Sequence, residues 1–156
     1  MIMNKISNLE VSRIGMGCMA FSHGYGQIPK REYSIEAIIE AYKLGCNFFD
    51  TAETYGDVLY HTGHNEEILG EDIHDFRDKV IVASKLHLHD EELVDGYDLY
   101  EVIKSHLMAS LKRLQTSYLD IYYLHRINEL VDNKEVAKVM GRLIEEGLIN
   151  GWVFQQ

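Results

Sequence analysis

Four side chains in this sequence have the types and spacing to move a proton. They are Asp50, Tyr55, Lys85 and His125. A phenol with an ordinary pKa of about 10 is a poor proton donor at neutral pH, but an ammonium beside it stabilises the phenolate that donation leaves behind. Lys85 is the candidate for that role beside Tyr55. Asp50 would pair with Lys85 and keep it charged once desolvated, and His125 would hydrogen-bond a substrate oxygen from the side. Such a set suits a carbonyl oxygen that gains negative charge as hydride arrives. Each member also has an ordinary structural reading: Asp50 before Thr51 as a cap or turn former, Tyr55 and His125 as packed side chains. Lys85 is hardest to explain that way, because it closes the apolar run Val80, Ile81, Val82, Ala83, and a lysine buried there needs a partner.

The four can meet only if the elements carrying them end at one edge. Apolar runs of strand length alternate along the chain with longer runs of helical period, the pattern of an α/β protein with a parallel sheet. Strands are expected at Ile14 to Met19, Cys46 to Asp50, Val80 to Lys85, Leu119 to Leu124 and Gly151 to Phe154. Four helices fall between them. The first carries Ile35, Ile38, Ile39 and Tyr42, with Ser34 as N-cap candidate and Gly45 as stop. The second starts after Asn65, with Glu66 and Glu67 at the positive end of its dipole. The third presents Leu99, Ile103, His106, Leu107 and Leu111 on one face. The fourth begins near Lys134 and closes at Gly147. In such sheets the strands' carboxyl ends share one edge, where ligands bind. Two long loops follow strands there: Phe21 to Arg31, with His23, Gly24, Tyr25 and Gly26, and Thr54 to His64, with Tyr55, Gly56, Tyr60, His61 and His64. Both are expected to rim a pocket.

Composition narrows the classes. Of 156 residues 46% are hydrophobic and 26% charged, as in one compact folded unit rather than a disordered or disulfide-stapled chain. Fifteen Lys plus Arg against 25 Asp plus Glu give a net charge of −10, which argues against nucleic acid or an anionic membrane as main partner. Cys18 and Cys46 do not make a disulfide framework or zinc motif, and a reducing cytoplasm is the expected location. No apolar run approaches the ~20 residues of a membrane helix. His87, His89 and Asp90 lack a clear further ligand, so no metal site is expected. Trp152 and Phe154 are expected in the core or an interface.

Several ordered motifs together resemble the aldo-keto reductases. They are Ile14-Gly15-Met16-Gly17-Cys18-Met19, Asn47-Phe48-Phe49-Asp50-Thr51-Ala52-Glu53-Thr54-Tyr55-Gly56, Asn65-Glu66-Glu67-Ile68-Leu69-Gly70, Lys79-Val80-Ile81-Val82-Ala83-Ser84-Lys85, Ser110-Leu111-Lys112-Arg113-Leu114, Tyr118-Leu119-Asp120-Ile121-Tyr122-Tyr123-Leu124-His125 and Glu145-Glu146-Gly147-Leu148-Ile149. The resemblance implies a (β/α)8 barrel that reduces aldehydes or ketones with NADP(H), Tyr55 as proton donor and Asp50, Lys85 and His125 as its partners. It also implies that Gly17, Cys18 and Met19 bring backbone near the nicotinamide, with Asp50 beside them.

A complete barrel of this kind takes about 250 residues, and this chain has 156. The expected fold is therefore a partial (β/α)8 TIM barrel of five parallel strands and four helices, residues 1–156 forming one N-terminal portion of it. The resemblance implies that later strands supply the aromatic stacking on the nicotinamide and the basic residues on the 2′-phosphate, so most of the NADP(H) site is expected to be missing, and Gln155 and Gln156 are not the Ser-Asn or Ser-Glu pair it implies next. An open edge with apolar faces calls for a cover, and a homo-oligomer is the expected one. Two functions follow: a reductase of small-molecule carbonyls, or a truncated remnant or interaction module that cannot hold the cofactor alone.

Overall fold

The computed structural model describes residues 3–155 apart from Ser7 and Tyr25. The chain opens with an antiparallel hairpin, β1 (Met3–Ile6) and β2 (Leu9–Ser12), that the apolar pattern did not signal. All four residues of β1 are exposed, so no buried face left a mark on its sequence. A five-stranded parallel sheet follows, made of β3 (Met16–Gly17), β4 (Phe48–Asp50), β5 (Ile81–Leu86), β6 (Ile121–Leu124) and β7 (Trp152–Phe154), in that spatial order. Helices α1 (Arg31–Lys43), α2 (His64–Ile73), α3 (Leu99–Arg113) and α4 (Asn133–Glu145) connect successive strands. Strand order that repeats chain order, with a helix in each crossover, is half of a (β/α)8 barrel, as expected. Among the described residues no helix is long and apolar enough to cross a membrane.

The helix ends show why the elements stop where they do. After α1, Gly45 takes φ +93°, its N–H reaches Tyr42 O and that of Cys46 reaches Ala41 O, closing the helix and aiming the chain at β4. Gly147 does the same after α4, with its own N–H on Ile144 O and that of Leu148 on Leu143 O. The third such turn, after α3, uses Gln115 at φ +52° in place of glycine. At the other ends Asp98 caps α3 and Asp132 caps α4 through their carboxylates.

One expectation needs correction, and another gains a second role. Ser34 is not the N-cap of α1. The helix starts four residues earlier, directly after Pro29 and Lys30, because proline is disfavoured in a helix interior but not just before its start. Ser34 then lies in the first turn, buried, its hydroxyl without a hydrogen-bond partner. Glu66 and Glu67 do stand in the first turn of α2, as expected, and Glu66 has a further role there. It is fully buried against α3, where it accepts from Arg113 Nε at 2.6 Å and from Ser84 Oγ at 2.5 Å.

The core lies between sheet and helices: Phe49, Val82, Leu86 and Tyr122 from strands, Leu69 and Ile73 from α2, Ile103 and Leu107 from α3, Met140 and Leu143 from α4. Helices α2 and α3 approach so closely at Gly70 that a Cβ there would stand 2.5 Å from Leu114 Cα. Trp152 and Phe154 are half-buried, edge to face with ring centroids 4.9 Å apart. The amino ends of the central strands are stitched by Arg77 and Asp120. Arg77 donates to Val80 O, Tyr118 O and Asp120 Oδ2, while Asp120 also accepts from Val82 N–H and Asn150 Nδ2.

Candidate active site

Parallel pairing sets the register at the carboxyl ends. Asp50 lies opposite Gly17 on one side and Ala83 on the other, so Lys85 lies two residues further along β5, and His125 follows β6 directly. Alternation along β5 sends Ser84 to the helix layer, where Glu66 receives it, and Lys85 to the opposite face.

Lys85 is 4% exposed and uses all three ammonium donors. One goes to Asp50 Oδ1, one to Thr51 O at 2.7 Å and one to the Tyr55 hydroxyl oxygen at 3.1 Å. A buried cation with each proton placed, one on a carboxylate, meets the conditions that make its burial tolerable. The direction of the third bond matters most. Tyr55 accepts from Lys85, so its own O–H proton is left for another acceptor. The His125 ring stands edge-on to the Tyr55 ring, centroids 5.8 Å apart, with Nδ1 3.4 Å from Thr54 Oγ1. Burial, followed by the neighbouring Lys85 charge, pulls the His125 pKa down to about 4, so the ring is neutral at pH 7.

Tyr55 and His125 line an open cleft of about 520 Å³ together with Met19, His23, Thr54, Asp57, His87, His89 and Arg126. Asp50 and Lys85 lie behind Tyr55 rather than on the cleft wall. All four predicted residues thus converge, two facing the cleft and two supporting from behind.

The expected cofactor contacts divide. Gly17 is exposed, with no other atom within 4 Å of where a Cβ would stand, and Met19 lines the cleft. Cys18 is turned inward: its side chain is fully buried, and burial pushes its thiol well up. Its N–H goes to Asp50 O at 2.8 Å, and its carbonyl accepts from Asn65 Nδ2 at 2.9 Å.

The expected pocket rim is smaller than the two loops. Of the second loop, Tyr55 reaches the cleft, while Tyr60 stacks on His64, His64 bonds Ser22 Oγ and His61 pairs with Glu67. Of the first, His23 reaches it, Gly24 and Gly26 turn the chain at positive φ, and Tyr25 lies outside the described residues. Among the described residues no group of three or more metal-ligating side chains gathers.

Sequence reasoning missed Glu53. This buried carboxylate accepts from His87 N–H at 2.7 Å and sits 2.9 Å from His106 Nδ1. The only signal was a glutamate two residues before Tyr55.

Comparison with known proteins agrees with this geometry. The sequence model of the aldo/keto reductase family matches residues 13–154. Aldo-keto reductase YhdN of Bacillus subtilis (strain 168) is 35% identical over 147 residues, covering 92% of this chain and 43% of that protein. The crystal structure of the thermostable aldo-keto reductase Tm1743 with the inhibitor epalrestat superposes with a TM-score of 0.81 at 27% identity, covering 99% of this chain and 53% of the other. An aldo-keto reductase from Klebsiella pneumoniae in complex with NADPH gives 0.77 at 28% identity, over 100% and 50%. The chain spans about half the length of these relatives. With a match over nearly all its residues and a half-barrel of the same order, the chain belongs to the aldo/keto reductase family.

Proposed function

We propose that this site reduces the carbonyl group of an aldehyde or ketone, with Tyr55 as proton donor and NADP(H) as cofactor. The observation that carries the reading is the hydrogen bond from Lys85 Nζ to the Tyr55 oxygen, which leaves the phenolic proton free beside a cleft. Tyr55 would pass that proton to the carbonyl oxygen. The ammonium already in contact would then stabilise the phenolate left behind. Asp50 keeps the ammonium charged in its buried position. His125, neutral at pH 7, supplies a ring nitrogen to orient the carbonyl oxygen without adding charge.

The residues present fit the nicotinamide end of the cofactor. Gly17 leaves open space, Met19 lines the cleft, and Asp50 has one carboxylate oxygen with no partner among the described residues. Gly17, Met19 and Asp50 would hold that end, and the bound cofactor would supply the hydride. Cys18 contributes by fixing the backbone between them. Support for NADP(H) comes from the similar Klebsiella pneumoniae protein, whose structure contains NADPH.

The test is a fluorescence titration with NADPH followed by turnover of a simple aldehyde. We expect saturable binding, and we expect Tyr55→Phe to lower turnover by about 10²–10⁴-fold with cofactor affinity little changed. Absence of NADPH binding by the folded chain would favour a non-catalytic role, and equal losses of affinity and turnover would exclude Tyr55 as the donor.

A further inference from the structure

Behind the cleft wall, His106 of α3 lies between two carboxylates. Its Nδ1 is 2.9 Å from Glu53 Oε2 and its Nε2 is 2.8 Å from Glu92 Oε1. Glu53 belongs to the turn that carries Tyr55, and its other oxygen accepts the His87 N–H at 2.7 Å. Glu92 ends the short helical turn Asp90–Glu92, and its other oxygen accepts the His89 N–H at 3.0 Å. Two carboxylates and one imidazole therefore tie three pieces of chain together: the turn at Tyr55, the His87–Glu92 segment and helix α3. His87 and His89 line the cleft beside Tyr55 and His125, and they also border a second open cleft with Asp90, Arg126 and Asn128. The segment thus borders both clefts, and Glu53, Glu92 and the contacts of Asn128 with Leu88 O and Asp90 hold it.

We propose that His106 is a positioning residue for this site, its doubly bonded ring fixing the His87–Glu92 wall of the cleft against the turn that presents Tyr55. Ionised carboxylates only accept hydrogen bonds, so a ring with a carboxylate at each nitrogen must donate from both and carry a positive charge. Despite its burial, the bonds to Glu53 and Glu92 hold the His106 pKa up at about 9. The other charges around it belong to the same cluster. Arg113 lies 3.9 Å from Glu53 Oε2 and is itself bound to Glu66 of α2, while the Tyr122 phenol of β6 and the His125 ring sense the Glu53 carboxylate. The wall should be held firmly at neutral pH and released as His106 loses its proton near pH 9. Its effect on turnover rests on the reductase reading; the tie itself does not.

The experiment uses the full chain labelled with ¹⁵N. Ring nitrogen shifts of His106 are followed from pH 6 to pH 10.5, and amide protection is compared in wild type, His106→Gln and Glu92→Gln. We expect both ring nitrogens to be protonated at pH 7, with a midpoint near 9. In His106→Gln the His87 amide should lose at least about tenfold in protection at pH 7, the ratio expected for one charge-assisted hydrogen bond, while the Val82 amide keeps its own. Glu92→Gln, a change on a part-exposed side chain, should leave the fold intact and move the midpoint downward. Where turnover is measurable, kcat should decline with the same midpoint in wild type, and the midpoint should shift in Glu92→Gln, with KM for NADPH unchanged. A His106 ring neutral at pH 7, or equal His87 protection in wild type and His106→Gln, would overturn the proposal. A folded wild type without turnover would count against the reductase reading alone, since the ring titration and the amide protection still decide the tie.

Discussion

The two ends of the same parallel strands each set a cation on an aspartate, Lys85 buried and Arg77 nearly so, and they are finished differently. At the amino end, Arg77 and Asp120 spend their hydrogen bonds on Val80 O, Tyr118 O, Thr116 Oγ1, Val82 N–H and Asn150, and Arg77 lies over the Tyr118 ring at 4.4 Å. Each nitrogen of the guanidinium and each oxygen of the carboxylate has a partner within the chain. At the carboxyl end, Lys85 is just as fully engaged, but its third partner is a hydroxyl with a proton still to give, beside an open cleft. Similar ingredients hold a barrel together when each polar atom finds its partner within the chain. They make a candidate site when a proton beside a cleft is left over.

That contrast predicts different responses to removing each cation. Arg77→Met leaves Asp120 charged at 5% side-chain exposure, so chemical denaturation should show a loss of about 3–5 kcal/mol with NADPH affinity in the surviving folded fraction unchanged. Lys85→Met should invert the pattern. Asp50 is 28% exposed in its side chain and can turn to water, so stability should change by less than about 1 kcal/mol, while carbonyl reduction falls by about a thousandfold, equivalent to about 4 kcal/mol. Comparable stability losses in both variants would erase the distinction.

The carboxyl end should also be the more sensitive to acid. His125 has a folded pKa of about 4 against an ordinary 6.5. Its contribution to stability is whole above pH 6.5 and is lost as pH falls through 4. His106 has the opposite sign: raised to about 9, its contribution is whole below pH 6.5 and is lost as pH rises through 9. Melting temperatures across pH 4 to 10 should therefore peak near pH 6.5 and decline on both sides, and His125→Gln should flatten only the acid side. The smallest effect belongs to the amino end. Gln115→Gly relieves a left-handed backbone at φ +52° and should stabilise the chain by about 0.5–1 kcal/mol, read as a shift in denaturation midpoint.

What was legible in the sequence follows the same division. Strand and helix positions were readable because burial on one or both faces leaves a period, and β1, which buries nothing, left none. Asp50, Tyr55, Lys85 and His125 were readable because each sits at or just past a strand end, where chain order alone brings them together. Glu53, His106 and Glu92 were not, because a loop, a helix face and a further loop meet only through tertiary packing. The second role of Glu66 was hidden for a related reason: an acidic residue in the first turn of a helix has a sufficient local explanation, and only the approach of α3 at Gly70 shows that Arg113 reaches it. Ser34 shows the opposite risk, a good capping residue bypassed because Pro29 had already set where the helix begins.

Ser84 and Lys85 are neighbours committed to opposite sides of one strand, a hydroxyl to the carboxylate of Glu66 and an ammonium to that of Asp50. A pairing error of a single position would thrust the ammonium among the apolar side chains of the helix layer and strand both carboxylates. The strand therefore proofreads its own alignment, and a half-barrel paired in this register has already brought Lys85 to Asp50 and Tyr55.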